Sequence, residues 1–307
     1  PGMTASLRRD GTRGDDLLTD TEGTVKTRLS GVGAFSAEVL AGDWTAVPVV
    51  QVSTLSSHWE GAESPDMLSV DPRLGVAWQP LPDLMFRANG GRYIRVPDLS
   101  ELFGDRGAMV GNPDLQPERG WQWDVGGRAR TAQAWAEAQL DVAHFWLASE
   151  DLVTLVQNSQ RTMRPVNLGR TWTQGLETAF SAALWGMVDS QTSFTWTISR
   201  NLDTDPAVAN NQLPRVPTGS LWQATSWHWD NRVRVGHTWS WTDGNYWDAT
   251  NWYRAAPRSL HGVFVRGQPT HLAVGLSENA TARVEHKLPC VLDACLPFAR
   301  GAVLDYA

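Results

Sequence analysis

The feature that most constrains this chain is an alternation of period two, repeated in one segment after another. Between Ala134 and Trp146 one face reads Ala134, Ala136, Ala138, Leu140 and Val142, while the other reads Trp135, Glu137, Gln139 and Asp141. Side chains of a strand point alternately to opposite faces; a helix would scatter those polar groups around its surface. Phe194, Trp196 and Ile198 alternate in the same way with Ser193, Thr195, Thr197 and Ser199. Val233, Val235, His237, Trp239 and Trp241 oppose Arg232, Arg234, Gly236, Thr238 and Ser240, and Leu272, Val274 and Leu276 oppose His271, Ala273, Gly275 and Ser277. His237 interrupts its apolar face, which predicts a local shift of register there. Each strand therefore meets two environments, one oily and one wet.

The links between these segments alternate in length. Short ones fall near Ala41–Asp43, Gln79–Asp83, Arg130–Gln133, Gly186–Ser190, Asp230–Asn231 and Gly267–Pro269. Long ones cover Asp10–Gly23, Ser57–Leu68, Glu101–Gly120, Asn158–Pro165, Asn201–Pro217, Asp243–Pro257 and everything after Glu285. About thirteen strands are predicted by this scheme, near 3–9, 25–40, 46–56, 70–78, 84–95, 121–130, 134–156, 166–184, 192–200, 219–229, 232–242, 258–266 and 271–284. An up-and-down antiparallel sheet puts all odd connections at one end and all even ones at the other. Short turns on one side and long loops on the other are the pattern of a transmembrane β-barrel; a sandwich or propeller gives no reason for it. Hydrocarbon offers the backbone no hydrogen bonds, so spanning strands must close on one another. The apolar faces are then expected to meet lipid and the Glu, Gln, Ser, Thr and Arg faces to line a wet interior. Arg170 shares the oily register of Leu168 and Trp172, near the outer edge, where its long side chain reaches out of the hydrocarbon.

Composition is compatible with this architecture. Hydrophobic residues make up 42% of the 307, which excludes disorder by composition. No run of eighteen apolar residues is present, so no transmembrane helix is expected, a result that leaves a barrel open. The chain opens at Pro1 without a charged and then apolar leader, and is expected to be a fragment or a mature piece. The 26 basic and 33 acidic residues, with no basic run, give no nucleic-acid footprint. Tryptophan is abundant, 17 against 4 Tyr and 8 Phe. That fits either a Trp-rich soluble β-protein that binds sugars or aromatic belts at a bilayer surface. The two cysteines, Cys290 and Cys295, lack further ligands at useful spacing for a zinc site, leaving a local disulfide or two thiols.

The connection from Tyr93 to Gly120 is far too long for a hairpin turn, and long ordered loops are usually functional. Pro97 and Pro113 bias their predecessors to extended geometry, Gly104, Gly107 and Gly111 permit positive φ, and Asn112 and Asp114 favour local turns. Its two parts, "IRVPDLSELF" and "GNPDLQPE", resemble the loop signature of TonB-dependent outer-membrane receptors. Arg95, Pro97, Leu99, Glu101, Leu102 and Phe103 match the first part; Gly111, Asn112, Pro113, Leu115, Pro117 and Glu118 match the second. Ile94 and Val96 depart from the family's usual aromatic and small residues. "DPRLGVAWQP" at 71–80, "VNLGRTWTQGLE" at 166–177, "LPRVPTGSL" at 213–221 and "LAVGLSENAT" at 272–281 resemble further family segments in the right order. The motif either shapes the barrel rim or also touches ligand.

The resemblance implies an all-β, antiparallel up-and-down barrel of about 22 strands with a plugged lumen. The chain would be the C-terminal portion, 1–307, with the plug, the TonB-contacting box and first strands upstream and the last strand also lacking. Alone, its two long edges would make it neither stable nor active. The resemblance places Cys290 and Cys295 in the last outer loop, outside the cell, which fits a disulfide. It implies energy-coupled uptake of a ferric siderophore, cobalamin, haem or glycan across a Gram-negative outer membrane. No enzyme activity, cofactor, metal or nucleic acid is expected. The expected partners are outer-membrane lipid, a small-molecule nutrient, and the TonB complex acting through the N-terminal part. A soluble Trp-rich carbohydrate-binding protein and a non-energised porin or adhesin barrel are the alternatives.

No G-x-S-x-G, Walker loop or H-E-x-x-H is present. His58, His144, His228, His237, His261, His271 and His286 are scattered; His228 and His261 are expected to face the lumen as polar lining. Glu137 and Asp141 share a face and read as solvated lumen residues, although a glycosidase pair has the same composition. The loop "WTDGNYWDATNWYRAAPR", 241–258, crowds aromatic rings with amides and guanidinium, suiting a sugar, a chelate or a corrin-like ligand. Candidate ligand residues in the outer loops are Arg106, Asn112, Asn245, Trp247, Asn251, Trp252, Tyr253 and Arg258.

Overall fold

Alternating Val, Leu, Trp and Thr on one side and polar groups on the other suit an extended backbone that pairs on both edges. The computed structural model describes residues 2–13, 25–59, 62–63, 67–104, 109–157, 162–229 and 233–267. The strands are β1 (Gly2–Arg13), β2 (Val25–Ser36), β3 (Val39–Ala41), β4 (Trp44–Trp59), β5 (Ala62–Glu63), β6 (Met67–Leu81), β7 (Leu84–Arg95) and β8 (Glu118–Gln133). They continue with β9 (Ala136–Gln157), β10 (Met163–Leu184), β11 (Val188–Asn201), β12 (Gly219–Trp229), β13 (Val233–Thr242), β14 (Asn245–Tyr246), β15 (Arg254–Ala255) and β16 (Arg258–Gly267). Twelve of them form one antiparallel meander in the order β1-β2-β4-β6-β7-β8-β9-β10-β11-β12-β13-β16. Among the described residues β1 and β16 do not pair, so the wall is an arc rather than a closed ring. The strand expected over 271–284 lies outside the described residues, as do Cys290, Cys295, His271 and His286.

The short connections gather at one end. Gly42 adopts φ +59° in the turn between β3 and β4, a left-handed conformation that glycine takes without steric cost. Pro82–Asp83 joins β6 to β7. The turn expected at Arg130–Gln133 sits instead at Ala134–Trp135: pairing runs on to Gln133 opposite Ala136. The reason is the ring of Trp135, which leaves the strand and stacks on Trp185 of the next turn at 6.0 Å. Ala134 and Trp135 are therefore turn residues, not members of the strand faces. The β9–β10 hairpin extends furthest, 22 residues in each strand, more than the roughly 9–11 that a bilayer needs.

The two faces differ as the alternation requires. On the convex side Leu68, Val70 and Leu74 of β6 and Trp121, Trp123 and Val125 of β8 are exposed. On the concave side Asp71, Asp124, Ser149, Thr171, Thr173 and Ser199 are buried. Aromatic rings stand along the convex side, with one group near each end and Trp123, Trp146 and Trp196 between them. Trp44, Trp78 and Phe86 stack near the short turns, with centroids 5.4 and 5.5 Å apart. Trp121 and Trp172 stand towards the long loops. From Trp172 to Leu184 the chain climbs twelve residues, about 30 Å of height for a strand tilted by roughly 40°. That equals the hydrocarbon thickness of a bilayer. His237 causes no shift of register: it pairs opposite Thr225 and Val263 without a break. Its ring stays on the convex side and meets His261, Nε2 to Nδ1 3.2 Å. His261 is thus convex, not luminal, because it lies opposite Trp239 in the ladder. His228 does face the concave side, 2.6 Å from Asp189.

Glycines let the wall close tightly at a few points. A Cβ on Gly175 would fall 2.2 Å from the Trp196 carbonyl and 2.6 Å from the Phe145 ring, whereas one on Gly33 would meet nothing within 4 Å. We expect Gly175→Ala to cost about 1–3 kcal/mol by overpacking and Gly33→Ala to be neutral. The check is the temperature at which the folded, fast-migrating band of the full-length protein is lost on a detergent gel; equal temperatures for the two variants would refute the packing account.

Candidate functional site

The loop after β7 does not hang free. Arg28 donates from Nη1 to the carbonyl of Pro97 at 2.6 Å, holding the loop's entry against β2. Asp98 then starts a one-turn helix, α1 (Leu99–Phe103), with the Glu101 carboxylate accepting from the Asp98 N–H at 2.8 Å. Gly104 ends it at φ +81°. A Cβ on Gly111 would fall 2.3 Å from the Gly104 nitrogen, so the chain closes on itself where only glycine fits. Leu102 and Leu115 pack on Val153 of β9, with Phe103 beside them. Asn112 donates to the carbonyl of Pro165 at 3.0 Å, and Gln116 and Asn167 exchange two bonds of 2.9 and 3.0 Å. The loop therefore folds inward and lies along the concave face of β9 and β10.

Beneath it a buried polar knot sets the strand ends. Glu118, 2% exposed, accepts from the Tyr93 hydroxyl at 2.7 Å and from Arg95 Nε at 3.3 Å. Arg95 also forks onto Glu101, with Nη1 to Oε2 3.0 Å. The Tyr93 hydroxyl touches Ser149 Oγ at 2.6 Å. Gly120 leaves room for the Tyr93 ring, which a Cβ there would approach to 2.8 Å. Arg95, Glu101 and Glu118 of the quoted motif thus hold one another, while Pro97, Leu102, Phe103, Gly111, Asn112 and Leu115 shape the loop. Lower on the same wall Asp141 accepts from Arg87 at 2.7 Å and Arg128 at 2.8 Å, and Asn89 donates to Asp124 at 3.0 Å. Asp141 is thereby ion-paired to the wall; Glu137 is exposed near the turn.

A second unit at this end joins the 202–218 and 243–257 loops. Asn251, at φ +59°, accepts from Gln212 N at 2.8 Å and donates to Gln212 O at 2.9 Å. Asn211 donates to Ala249 O at 3.0 Å. Asn245 pairs with Ala255 in the two-stranded ribbon β14–β15. The Asp248 carboxylate accepts from the N–H groups of Trp252 and Tyr253, at 3.1 and 2.8 Å, and from the Thr250 hydroxyl. Burial is the largest single influence and opposes the charged form, but the bonds from Thr250, Tyr253 and Trp252 together outweigh it and hold the Asp248 carboxyl below its usual range. The turn thus fixed displays Trp252 and Tyr253 at 83% and 70% exposure. The Arg215 guanidinium lies 5.5 Å over the Trp247 ring, and Nη2 reaches Met163 Sδ at 2.8 Å. Burial draws the Arg215 guanidinium below its ordinary value.

The candidate residues therefore separate. Trp247, Trp252 and Tyr253 stand together on the clamped turn; Asn245 and Asn251 build that turn; Asn112 latches the inward loop; Arg258 is exposed at the start of β16. Arg106 lies outside the described residues. Reading the sequence missed Arg215, Asp248 and the helix α1. The helix carries a signal in D-x-x-E at Asp98–Glu101, and Asp248 one in its spacing to two following N–H groups; nothing local marks Arg215 or the Tyr93–Ser149 meeting.

The sequence model of the family described as TonB dependent receptor-like, β-barrel, matches residues 5–280. Among solved structures the siderophore receptor PiuA from Acinetobacter baumannii is similar, at 15% identity and a TM-score of 0.64 over 80% of this chain and 38% of that one. The FrpB iron transporter from Neisseria meningitidis is 16% identical with a TM-score of 0.58, covering 80% and 39%. The copper transporter OprC is 14% identical with a TM-score of 0.61, covering 86% and 44%. The chain spans less than half the length of each of these structures.

Two outcomes follow from the site. Tyr93→Phe leaves the buried Glu118 short of a donor, and should destabilise the barrel by about 1–3 kcal/mol, read as earlier thermal loss of the folded band. Asp248 has a depressed folded-state pKa, so its stabilisation is present above the ordinary carboxylate range and is lost as pH falls through the depressed value. Protease cleavage at 248–253 should therefore rise only in strong acid, and Asp248→Ala should show the high rate already at neutral pH. A variant as resistant as wild type would refute the role of that carboxylate.

Proposed function

Because this chain belongs to the TonB-dependent receptor β-barrel family, we propose that it forms the C-terminal part of the barrel of an outer-membrane receptor for energy-coupled uptake of a scarce nutrient. The nutrient is a ferric siderophore, cobalamin, haem or glycan. The family acts as receptor and transporter in the outer membrane rather than as an enzyme. In this reading a plug lies upstream in the full protein, and the TonB complex acts through that N-terminal part.

One observation carries the proposal. At the long-loop end the chain holds an inward-folded loop and a carboxylate-locked aromatic turn on the same rigid wall. The sheet supplies rigidity, since its strands hydrogen-bond throughout their length. The loops supply chemistry: flat rings at Trp247, Trp252 and Tyr253 and a cation at Arg215 suit a planar, partly anionic ligand. Ligand captured there would be released downwards along a polar lumen wall of Arg87, Asn89, Asp124, Arg128 and Asp141. Exposed Leu68, Val70 and Leu74 favour this over the soluble sugar binder, because a soluble protein would leave that convex row against water.

The test is uptake of labelled ferric siderophores, haem, cobalamin and oligosaccharides by a deletion strain carrying the full-length protein. We expect one ligand class to be taken up only with an energised inner membrane. Trp252→Ala with Tyr253→Ala should raise the half-saturating concentration roughly tenfold at unchanged receptor abundance. Uptake that persists without inner-membrane energy would instead indicate a passive porin.

A further inference from the structure

Among the cations of the convex face that the uptake reading leaves unused, three lie close together. Arg119 on β8 and Arg170 on β10 lie opposite Glu150 of β9, in one row across three strands. Arg200 on β11 lies opposite Trp172, in the row just below. All three alternate with the concave residues Gly120, Thr171, Ser199 and Asn201, so they point away from the lumen. Trp121 and Trp172 follow Arg119 and Arg170 by two residues on the same face, one step nearer the hydrocarbon.

Among the described residues these guanidiniums have almost nothing to bind. Among the described residues Arg119 and Arg170 make no side-chain hydrogen bond or ion pair, although Glu150 stands between them in register. Arg200 uses only Nη1, on the carbonyl of Ser199 at 3.0 Å. Arg119 and Arg170 are exposed. Two strand spacings separate them, about 10 Å.

Level decides the partner. Tryptophans on the outward face mark where hydrocarbon gives way to headgroups. A charge below that line is costly; Arg119 and Arg170, one step above it, lie among phosphates, and Arg200, level with Trp172, reaches them by extending its long side chain outward. Guanidinium matches a phosphoryl group with two parallel hydrogen bonds, which an isolated lumen ligand cannot reach from this side. We propose that Arg119, Arg170 and Arg200 form a docking row for the phosphorylated headgroup of an outer-leaflet glycolipid, with Trp121 and Trp172 flanking its acyl chains. The single carboxylate, Glu150, leaves the row with a net positive charge. The inference needs the barrel to sit in the outer membrane, but not any particular transported nutrient.

The test uses the full-length protein in detergent, titrated with lipid A and with its dephosphorylated form, bound lipid being counted by native mass spectrometry. Each guanidinium near a membrane surface is worth about fivefold in affinity. Arg119→Gln with Arg170→Gln and Arg200→Gln should therefore weaken lipid A binding on the order of 100-fold, and Arg170→Gln alone about fivefold. Dephosphorylated lipid should bind wild type as poorly as lipid A binds the triple variant. Heat-shifted gel mobility confirms that each variant is folded, and unchanged nutrient uptake separates this row from the transport site. Equal binding of both lipids, equal binding by wild type and the triple variant, or full displacement of lipid A by inorganic phosphate would each overturn the proposal.

Discussion

Backbone amides in hydrocarbon have no water to bond to, and every other feature of this chain depends on how that is met. Twelve strands pair edge to edge in sequence order, so the wall's interior strands bond to a neighbour on each side along nearly their whole length. Once that ladder exists, period two does the rest. Leu68, Val70 and Leu74 are sent outward by the same geometry that sends Ser69, Asp71 and Arg73 inward. The alternation is a consequence of having two solvents, one on each side of a single sheet.

The concave face shows what a wet but crowded interior does to polar groups. Glu118 and Asp141 are held by arginines from neighbouring strands, and Tyr93 ties Glu118 to Ser149. Glu118 and Asp141 survive burial because each has a charged donor. The same knot anchors the loop that follows β7. Arg95 reaches Glu101 in the loop and Glu118 in the next strand at once, so wall and loop are one rigid unit. Exposed rings can then be displayed on short turns held in one shape, as the Asp248 carboxylate does for Trp252 and Tyr253.

Strands and faces were legible because a strand's pattern is local. Leu140 against Asp141, or Trp196 against Thr195, needs only its neighbours to be read. The turn at Ala134–Trp135 was misread by a few residues because its position depends on Trp185, some fifty residues on. His237 was misread for a related reason: an imidazole on an oily face looks like a register fault until His261 is brought beside it. The family signature could be quoted residue by residue, yet not the job of each residue. Arg95 and Glu118 are separated by the whole loop and meet only after β7 and β8 have paired.

The sequence by itself determined the all-β class, the up-and-down order, the oily and wet faces, and which end carries long loops. All of these follow from side-chain alternation and the length of the links, quantities that need no third dimension. Only the tertiary structure decided that the first long loop turns inward onto Val153, that Asn251 and Gln212 clamp two loops together, and that Arg215 lies over Trp247. Those contacts join residues from different hairpins. Their energy is shared between segments that are strangers in the chain, so no local pattern could announce them.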